Sequence, residues 1–389
     1  MGNFDLIHNR KQTRSVKWDT ADELFQSTDV LPMWVADMDF KAPQPVIDAI
    51  VKRAEHGIFG YTIIDDDVKA SIVNWIEKRH QWHIEPNFLS FSPGVVTSLH
   101  MAVKTFTEPN DKILIQTPVY TPFYKVIEQH DRIVVKNPLV QKDNYYTIDF
   151  ADFEEKLNTG VKAFILCSPH NPVGRVWRKE ELQEMARLCL KHDVLIIADE
   201  IHADLVYPGY HHIPIASLSD EIAEQTITCM APSKTFNLAG LQGSYVITTD
   251  KEKRTKLEEQ FNRQGHSGLN TLANTALEAA YNHGEAWLDE LMDILQENCN
   301  YVTNMFKEHA NELTVIQPEG TYLLWIDCSA LELDSDALKK FMSEQARVGL
   351  NAGISYGDEG KLFMRMNIAC PKATVEEGVK RIINAVRNR

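Results

Sequence analysis

Between residues 88 and 250, short runs rich in valine, isoleucine and leucine alternate with amphipathic stretches, and this repeat constrains the fold more than any other feature of the chain. The run "FLSFS" precedes a helix beginning at Gly94, "KILIQ" a helix near Pro122, and "VKAFILC" the helix "KEELQEMARLCLKH"; "DVLIIAD", "TITCM" and "SYVITT" follow. Near-continuous apolar strands separated by helices with one apolar stripe predict a largely parallel sheet, because crossover helices cover both faces of such a sheet. After residue 250 the texture changes. Helical sequence runs from about 251 to 310, interrupted near "GHSGLN", and then "LTVIQ", "TYLLWIDC" and "KLFMRMNIA" are interspersed with helices starting near 335 and 373. This mixture predicts a second, smaller α+β domain.

The first forty or so residues are irregular and proline-punctuated, ending in "LPMWVADMDFKAPQP" before the helical "VIDAIVKRAEHG". They read as an arm. The expected division is 1–45 for the arm with part of the small domain, 46–285 for the large domain and 286–389 for the small C-terminal domain. A chain of 389 residues suits two cores better than one. With 55 acidic against 40 basic side chains its net charge of −15 argues against a nucleic acid or an anionic membrane as partner. The six cysteines are scattered singly, several in apolar runs, and read as reduced core residues. No apolar block marks the start as a signal peptide and no run reaches the roughly 20 residues of a membrane span, so a cytoplasmic location is expected.

Ligands of an open parallel sheet bind beyond the carboxyl ends of its strands. Asn171 follows "VKAFILC" in "SPHNPVG", Asp199 ends "DVLIIAD", Lys234 follows "TITCM" in "APSK", and Gly94 opens a helix after "FLSFSP". Each alone has a plainer reading: Lys234 as a surface cation, Asp199 as a helix cap, Asn171 as a turn residue before Pro172. Together they meet the needs of pyridoxal 5′-phosphate. A lysine amine takes its aldehyde, a carboxylate keeps its ring nitrogen protonated, and an amide donates to its phenolic oxygen. The amides of Gly94, Val95 and Val96 at a helix N-terminus suit its phosphate.

These residues resemble the fold type I, aspartate-aminotransferase-like superfamily of pyridoxal phosphate enzymes over essentially the whole chain. The carriers are "SPG" before a helix, "TPVY", "SPHNPVG", "ADEIH", "APSKTFNLAGLQG" and "FMRMNIA". Within it, "SVKWD", "MWVADMDF", "GYT", "DEIHADL" and "SKTFNLAGLQ" are similar to the MalY/PatB-type cystathionine β-lyases, or C–S lyases. The resemblance implies an α/β large domain with a mostly parallel seven-stranded sheet between helices, beside an α+β domain. It implies that Lys234 bonds the cofactor, Asp199 pairs with its ring nitrogen, Asn171 touches its phenolic oxygen and the substrate, and Tyr120 stacks on its ring. Ser233 and His202 would also border the cofactor, and Tyr61 would reach the phosphate of the other subunit in a homodimer whose sites lie at the interface. Arg365 would clamp the substrate α-carboxylate, and Trp34, Val35, Ala36 and Tyr322 would wall the pocket. An apolar strand is a costly place for an unpaired Arg365, but a structural carboxylate would meet that need nearly as well as a substrate.

The chain departs from the wider superfamily at two positions. Gln242 stands eight residues after the lysine, where an arginine usually holds the phosphate, and His202 stands three after the aspartate, where a tyrosine is usual. Ala231 also replaces a common phosphate-binding serine. His202, His211 and His212 have no carboxylate or cysteine at metal-ligand spacing, so no metal is expected. The reaction implied is α,β-elimination of L-cystathionine to homocysteine, pyruvate and ammonia, in sulfur amino acid metabolism and methionine biosynthesis. Tyr120 or Tyr61 would assist proton delivery to the leaving sulfur. The alternatives are an aminotransferase with the same site and, from another class, a pyridoxal phosphate-binding regulator.

Overall fold

The computed structural model describes residues 3–266 and 268–389. Its centre is a seven-stranded sheet: β1 (Leu89–Ser92), β2 (Lys112–Thr117), β3 (Ile133–Pro138), β4 (Val161–Cys167), β5 (Leu195–Asp199), β6 (Thr226–Met230) and β7 (Ser244–Ile247), in spatial order β1-β7-β6-β5-β4-β2-β3. Only β7 opposes the others, pairing antiparallel with β1 and β6. The continuous apolar runs serve two faces. Leu114, Phe164, Leu166, Ile196 and Ala198 enter one core, whereas Ile113, Ile115, Ala163, Ile165 and Ile197 enter the other. That is the period of two expected of strands covered on both sides.

Helix α1 (Val95–Phe106) buries Val95, Leu99, Ala102 and Val103, spaced i, i+4, i+7, i+8, against the second face. Several elements of this region are absent from the sequence reading, among them the helix Phe150–Leu157 and the hairpin of Val140–Lys142 with Tyr145–Thr147. The edge strand β3 was not anticipated, and neither was the helix Asp66–His80, which buries Val68, Ile72, Trp75 and Ile76 and is capped by Asp65 accepting from Val68 N.

The C-terminal part carries an antiparallel sheet of β8 (Thr314–Val315), β9 (Leu323–Asp327), β10 (Asn351–Ala352) and β11 (Phe363–Asn367), in order β8-β9-β11-β10. The long helix Glu285–His309 starts beside the expected boundary, and the C-terminal helix Lys372–Arg387 lies in the same core. The arm joins this part. Leu31 and Pro32 pair in parallel with Val348 and Gly349. All six cysteines are free and buried. Among the described residues no helix is long and apolar enough to cross a membrane.

Candidate active site

Adjacent parallel strands end level with one another. Cys167 is opposite Asp199, and Asp199 opposite Cys229, so the chain leaving β4, β5 and β6 reaches one crevice. There a cavity of ≈ 310 Å³ is lined by Gly94, Val95, Val96, Tyr120, Asn171, Asp199, His202, Ser233, Lys234, Gln242 and Ala36. The size lies at the lower end of small-molecule sites. Residues separated by up to about 200 positions thus meet because the strand order, and not the sequence distance, sets who is neighbour to whom.

Lys234 sits on the short turn Pro232–Thr235, where proline at the first helical position presets the backbone. Its Nζ donates to the Ala36 carbonyl at 2.7 Å, and the Tyr322 hydroxyl donates to the same oxygen at 2.9 Å. Burial, with the positive charge of Arg365 adding to it, pulls the Lys234 pKa down to about 8. Asp199 is 4 % exposed. Its Oδ1 accepts from Ile201 N at 3.2 Å, no cationic side chain pairs with it among the described residues, and burial pushes its pKa up to about 7. His202 is buried, its pKa lowered to about 3 by that burial and then by the Lys234 charge, so the imidazole is neutral at ordinary pH. Tyr120 is raised to about 12 by burial, then by the Asp199 charge, and keeps its phenolic proton.

Arg365 lies on β11 at 3 % exposure. Its Nη1 donates to Asn171 Oδ1 at 3.2 Å and its Nη2 to the Trp34 carbonyl at 2.8 Å, while Nε has no partner. The guanidinium lies 5.1 Å over the Tyr356 ring. No carboxylate pairs with it among the described residues, so the structural acid weighed from the sequence alone is not what meets this charge.

Not every anticipated residue borders the cavity. Arg365, Tyr322 and Val35 stand behind its first layer: Arg365 reaches it through Asn171, Tyr322 through Ala36, and the Val35 carbonyl accepts from Asn367 Nδ2 at 2.6 Å. Tyr61 is elsewhere, fully exposed beside Ile58, Phe59 and Ile63. Several lining residues were not anticipated, among them Cys167, Thr97 and Ile201. The Cys167 sulfur accepts from Asn171 N at 3.4 Å and so helps to seat that amide. Its place as the last residue of β4 and that of Thr97 in the first turn after Gly94 were the available signals.

The residues fit pyridoxal 5′-phosphate on three counts. Helix α1 has no side chain capping its N-terminus at Gly94, and a Cβ built on Gly94 would meet nothing within 4 Å, so an anion has free amides and room to approach them. The buried carboxyl of Asp199, which no cationic side chain pairs with among the described residues, lines the same cavity and is free to take a protonated ring nitrogen. The Lys234 amine is within reach of the same cavity.

A mostly parallel seven-stranded sheet with a lysine, an aspartate and an uncapped helix N-terminus at its carboxyl edge defines the fold type I class of pyridoxal phosphate enzymes. The sequence model of the aminotransferase class I and II family matches residues 28–382, and the chain belongs to that family, whose cofactor is pyridoxal 5′-phosphate. Within the family the chain is 48 % identical over 381 residues, 98 % of both proteins, to cystathionine beta-lyase PatB of Bacillus subtilis. It is 34 % identical over 390 residues to protein MalY of Escherichia coli, covering 100 % of this chain and 99 % of that one. A crystal structure of a pyridoxal phosphate-bound C–S lyase from Staphylococcus hominis superposes with a TM-score of 0.92 at 33 % identity, over 99 % of this chain and 98 % of the other.

Proposed function

We propose that the protein is a pyridoxal phosphate-dependent carbon–sulfur lyase that eliminates a thiol from L-cystathionine and related cysteine thioethers, leaving pyruvate and ammonia. The observation that carries the reading is the Lys234 amine, its pKa lowered to about 8, in one cavity with a buried Asp199. The name and similarity of the Bacillus relative support the choice of reaction. When bound, the cofactor supplies an electron sink that makes the substrate Cα proton removable and lets a β-substituent leave.

The chain's own residues supply the rest. Lys234 Nζ, neutral for part of each cycle, takes the Cα proton. Asp199 would keep a proton on the cofactor's ring nitrogen, and the amides of Val95 and Val96 would hold its phosphate. Asn171 would donate to the cofactor's phenolic oxygen, Tyr120 would border its ring, and Arg365, beside Asn171, would orient the α-carboxylate through two parallel hydrogen bonds. Gln242 lines the cavity where a cation would otherwise hold the phosphate. A transaminase must retain a detached amine form of its cofactor between half-reactions, whereas a lyase keeps the covalent link through nearly every step, so the missing charge favours elimination. Purified protein given cystathionine should release pyruvate and thiol in equal amounts, with no amino exchange when pyruvate and an amino donor are supplied instead. Exchange without thiol release would establish the transaminase.

Arg365→Leu should lower kcat/KM for cystathionine by about 10²- to 10³-fold, mostly through KM, since two charge-assisted bonds to the substrate are lost. Thermal stability should fall only modestly, because removing a buried charge that no carboxylate pairs with offsets the loss of its bonds to Asn171 Oδ1 and the Trp34 carbonyl. A large fall in stability with normal kinetics would mark Arg365 as structural.

We further propose a cytoplasmic homodimer in which Tyr61 serves the partner's site, and a division into large and small domains near residue 285. Supporting the first is the exposed apolar group Ile58, Phe59, Tyr61 and Ile63, which a monomer would leave in water. Mixing inactive Tyr61→Ala and Lys234→Ala dimers, with subunit exchange, should restore about a quarter of normal activity, because half the dimers then carry one intact site. No recovery despite exchange would rule out a shared site.

A further inference from the structure

Two motifs, "SVKWD" and "MWVADMDF", take no direct part in the chemistry above, yet they meet in one buried knot. Lys17 is 1 % exposed and Asp39 5 %. Lys17 Nζ donates to Asp39 Oδ2 at 2.7 Å and to the Asp37 carbonyl at 3.4 Å. Asp39 Oδ1 accepts from Trp18 Nε1 and from Arg10 Nη1, both at 2.8 Å. Arg10 also grips both oxygens of Asp37, at 3.0 and 2.8 Å. Two carboxylates and two cations thus neutralise one another largely out of water. Such a knot adds little net stability over apolar packing, because desolvation offsets the attraction. What it does supply is direction.

The backbone it directs is residues 34–39. Asn367 Nδ2 donates to the Asp37 carbonyl at 2.6 Å, and the Asn237 side chain accepts from Met38 N and donates to the Met38 carbonyl, each at 3.0 Å. At the middle of this segment is the Ala36 carbonyl, the one oxygen that Lys234 Nζ touches among the described residues.

We propose that Asp39, with Lys17 and Arg10 as its counter-ions, is a positioning residue for Lys234: it holds the Ala36 carbonyl where that oxygen accepts the free amine and sets its aim. The inference rests on the proposed role of Lys234 as the reacting amine. The two charges that do the holding come from the arm, so the arm is part of the catalytic apparatus without touching the reacting atoms. A carbonyl aimed at the nitrogen favours its protonated form, and losing that acceptor therefore lowers the pKa of the free amine.

The test compares cofactor-loaded Asp39→Asn and Trp18→Phe with an arm control, Asp29→Asn, which weakens only the solvent-exposed pairings of Asp29 with Arg347 and Arg381. In the first two, kcat should fall by about tenfold or more with KM nearly unchanged, as expected of a misdirected group. The acid limb of kcat should move to lower pH by about half a unit or more, and the pH midpoint of the visible absorbance should move as well. The control should match the unaltered enzyme in all three. Should Asp39→Asn fail to fold, Trp18→Phe keeps both ion pairs and carries the test alone. A lower unfolding temperature with the acid limb and absorbance midpoint in place would make the knot a structural brace and overturn the proposal. Borohydride labelling of Lys234 in the unaltered enzyme tests the underlying reading separately.

Discussion

Lys234→Ala should lower pyruvate release from cystathionine by at least about 10⁴-fold, the loss expected when one group serves as both the covalent anchor and the base. Borohydride should then fix no cofactor to the chain, whereas in the unaltered enzyme the label should map to residue 234. Lys234→Arg should be nearly as inactive even if its guanidinium keeps a hydrogen bond to the Ala36 carbonyl, because arginine is never neutral at working pH. The same logic sets a pH dependence. A base must be unprotonated, and the lysine pKa lies at about 8 instead of 10.5. The neutral fraction at pH 8 is therefore about half, where an ordinary lysine would offer well under 1 %. The rate per site should rise with pH through about 8 and then level off. A rate that is flat between pH 6 and 9 would remove Lys234 from the role of base.

How this site could be read before any coordinates were known depended on where its residues stand. Asn171, Asp199 and Lys234 each follow a run of apolar residues long enough to be a buried strand, and parallel strands end on one edge. Three such ends were enough to bring the group together. The charge knot of Arg10, Lys17, Asp37 and Asp39 had no such handle. Its members lie in an irregular arm without periodicity, and nothing in their spacing says that Trp18 and Lys17 fold back over residues 37 and 39. Nor could sequence say whether Arg365 is met by an acid, since that is a fact about the space around β11.

Two of the elements not anticipated differ in kind. Helix Asp66–His80 has a capping aspartate and apolar residues at i, i+4, i+7 and i+8, so it was readable by the same rule that found α1. Strand β3 was not. Its outer position in the sheet leaves Ile133 exposed and Val134, Val135 and Lys136 only partly buried, and it ends in Asn137 and Pro138. Edge strands carry mixed, polar-interrupted patterns because one side has no neighbour to satisfy.

Asp199→Asn should separate activity from stability in a way that few core substitutions can. Activity should fall by about 10³-fold or more, because an amide cannot keep a proton on the ring nitrogen as a carboxylate does, and the electron sink loses its charge. Stability of the cofactor-free chain should move the other way. The carboxyl titrates near 7 in the fold against 3.8 for the free group, so the folded state is the stronger proton binder. Its contribution is then most favourable at low pH, declines as pH rises from about 4 to about 7, and stays at its least favourable above that. At pH 8 the folded chain holds a buried carboxylate whose cost is up to about 4 kcal/mol before any relaxation. The asparagine variant carries no such charge, so without cofactor it should unfold at a higher temperature than the unaltered chain at pH 8 and lose that advantage near pH 4. Adding pyridoxal phosphate should reverse the order at pH 8, since only the carboxylate gains a cationic partner. If the two cofactor-free proteins unfold alike at pH 8, Asp199 is already stabilised as an anion by the chain, and its pairing with the ring nitrogen is not what holds that charge in the fold.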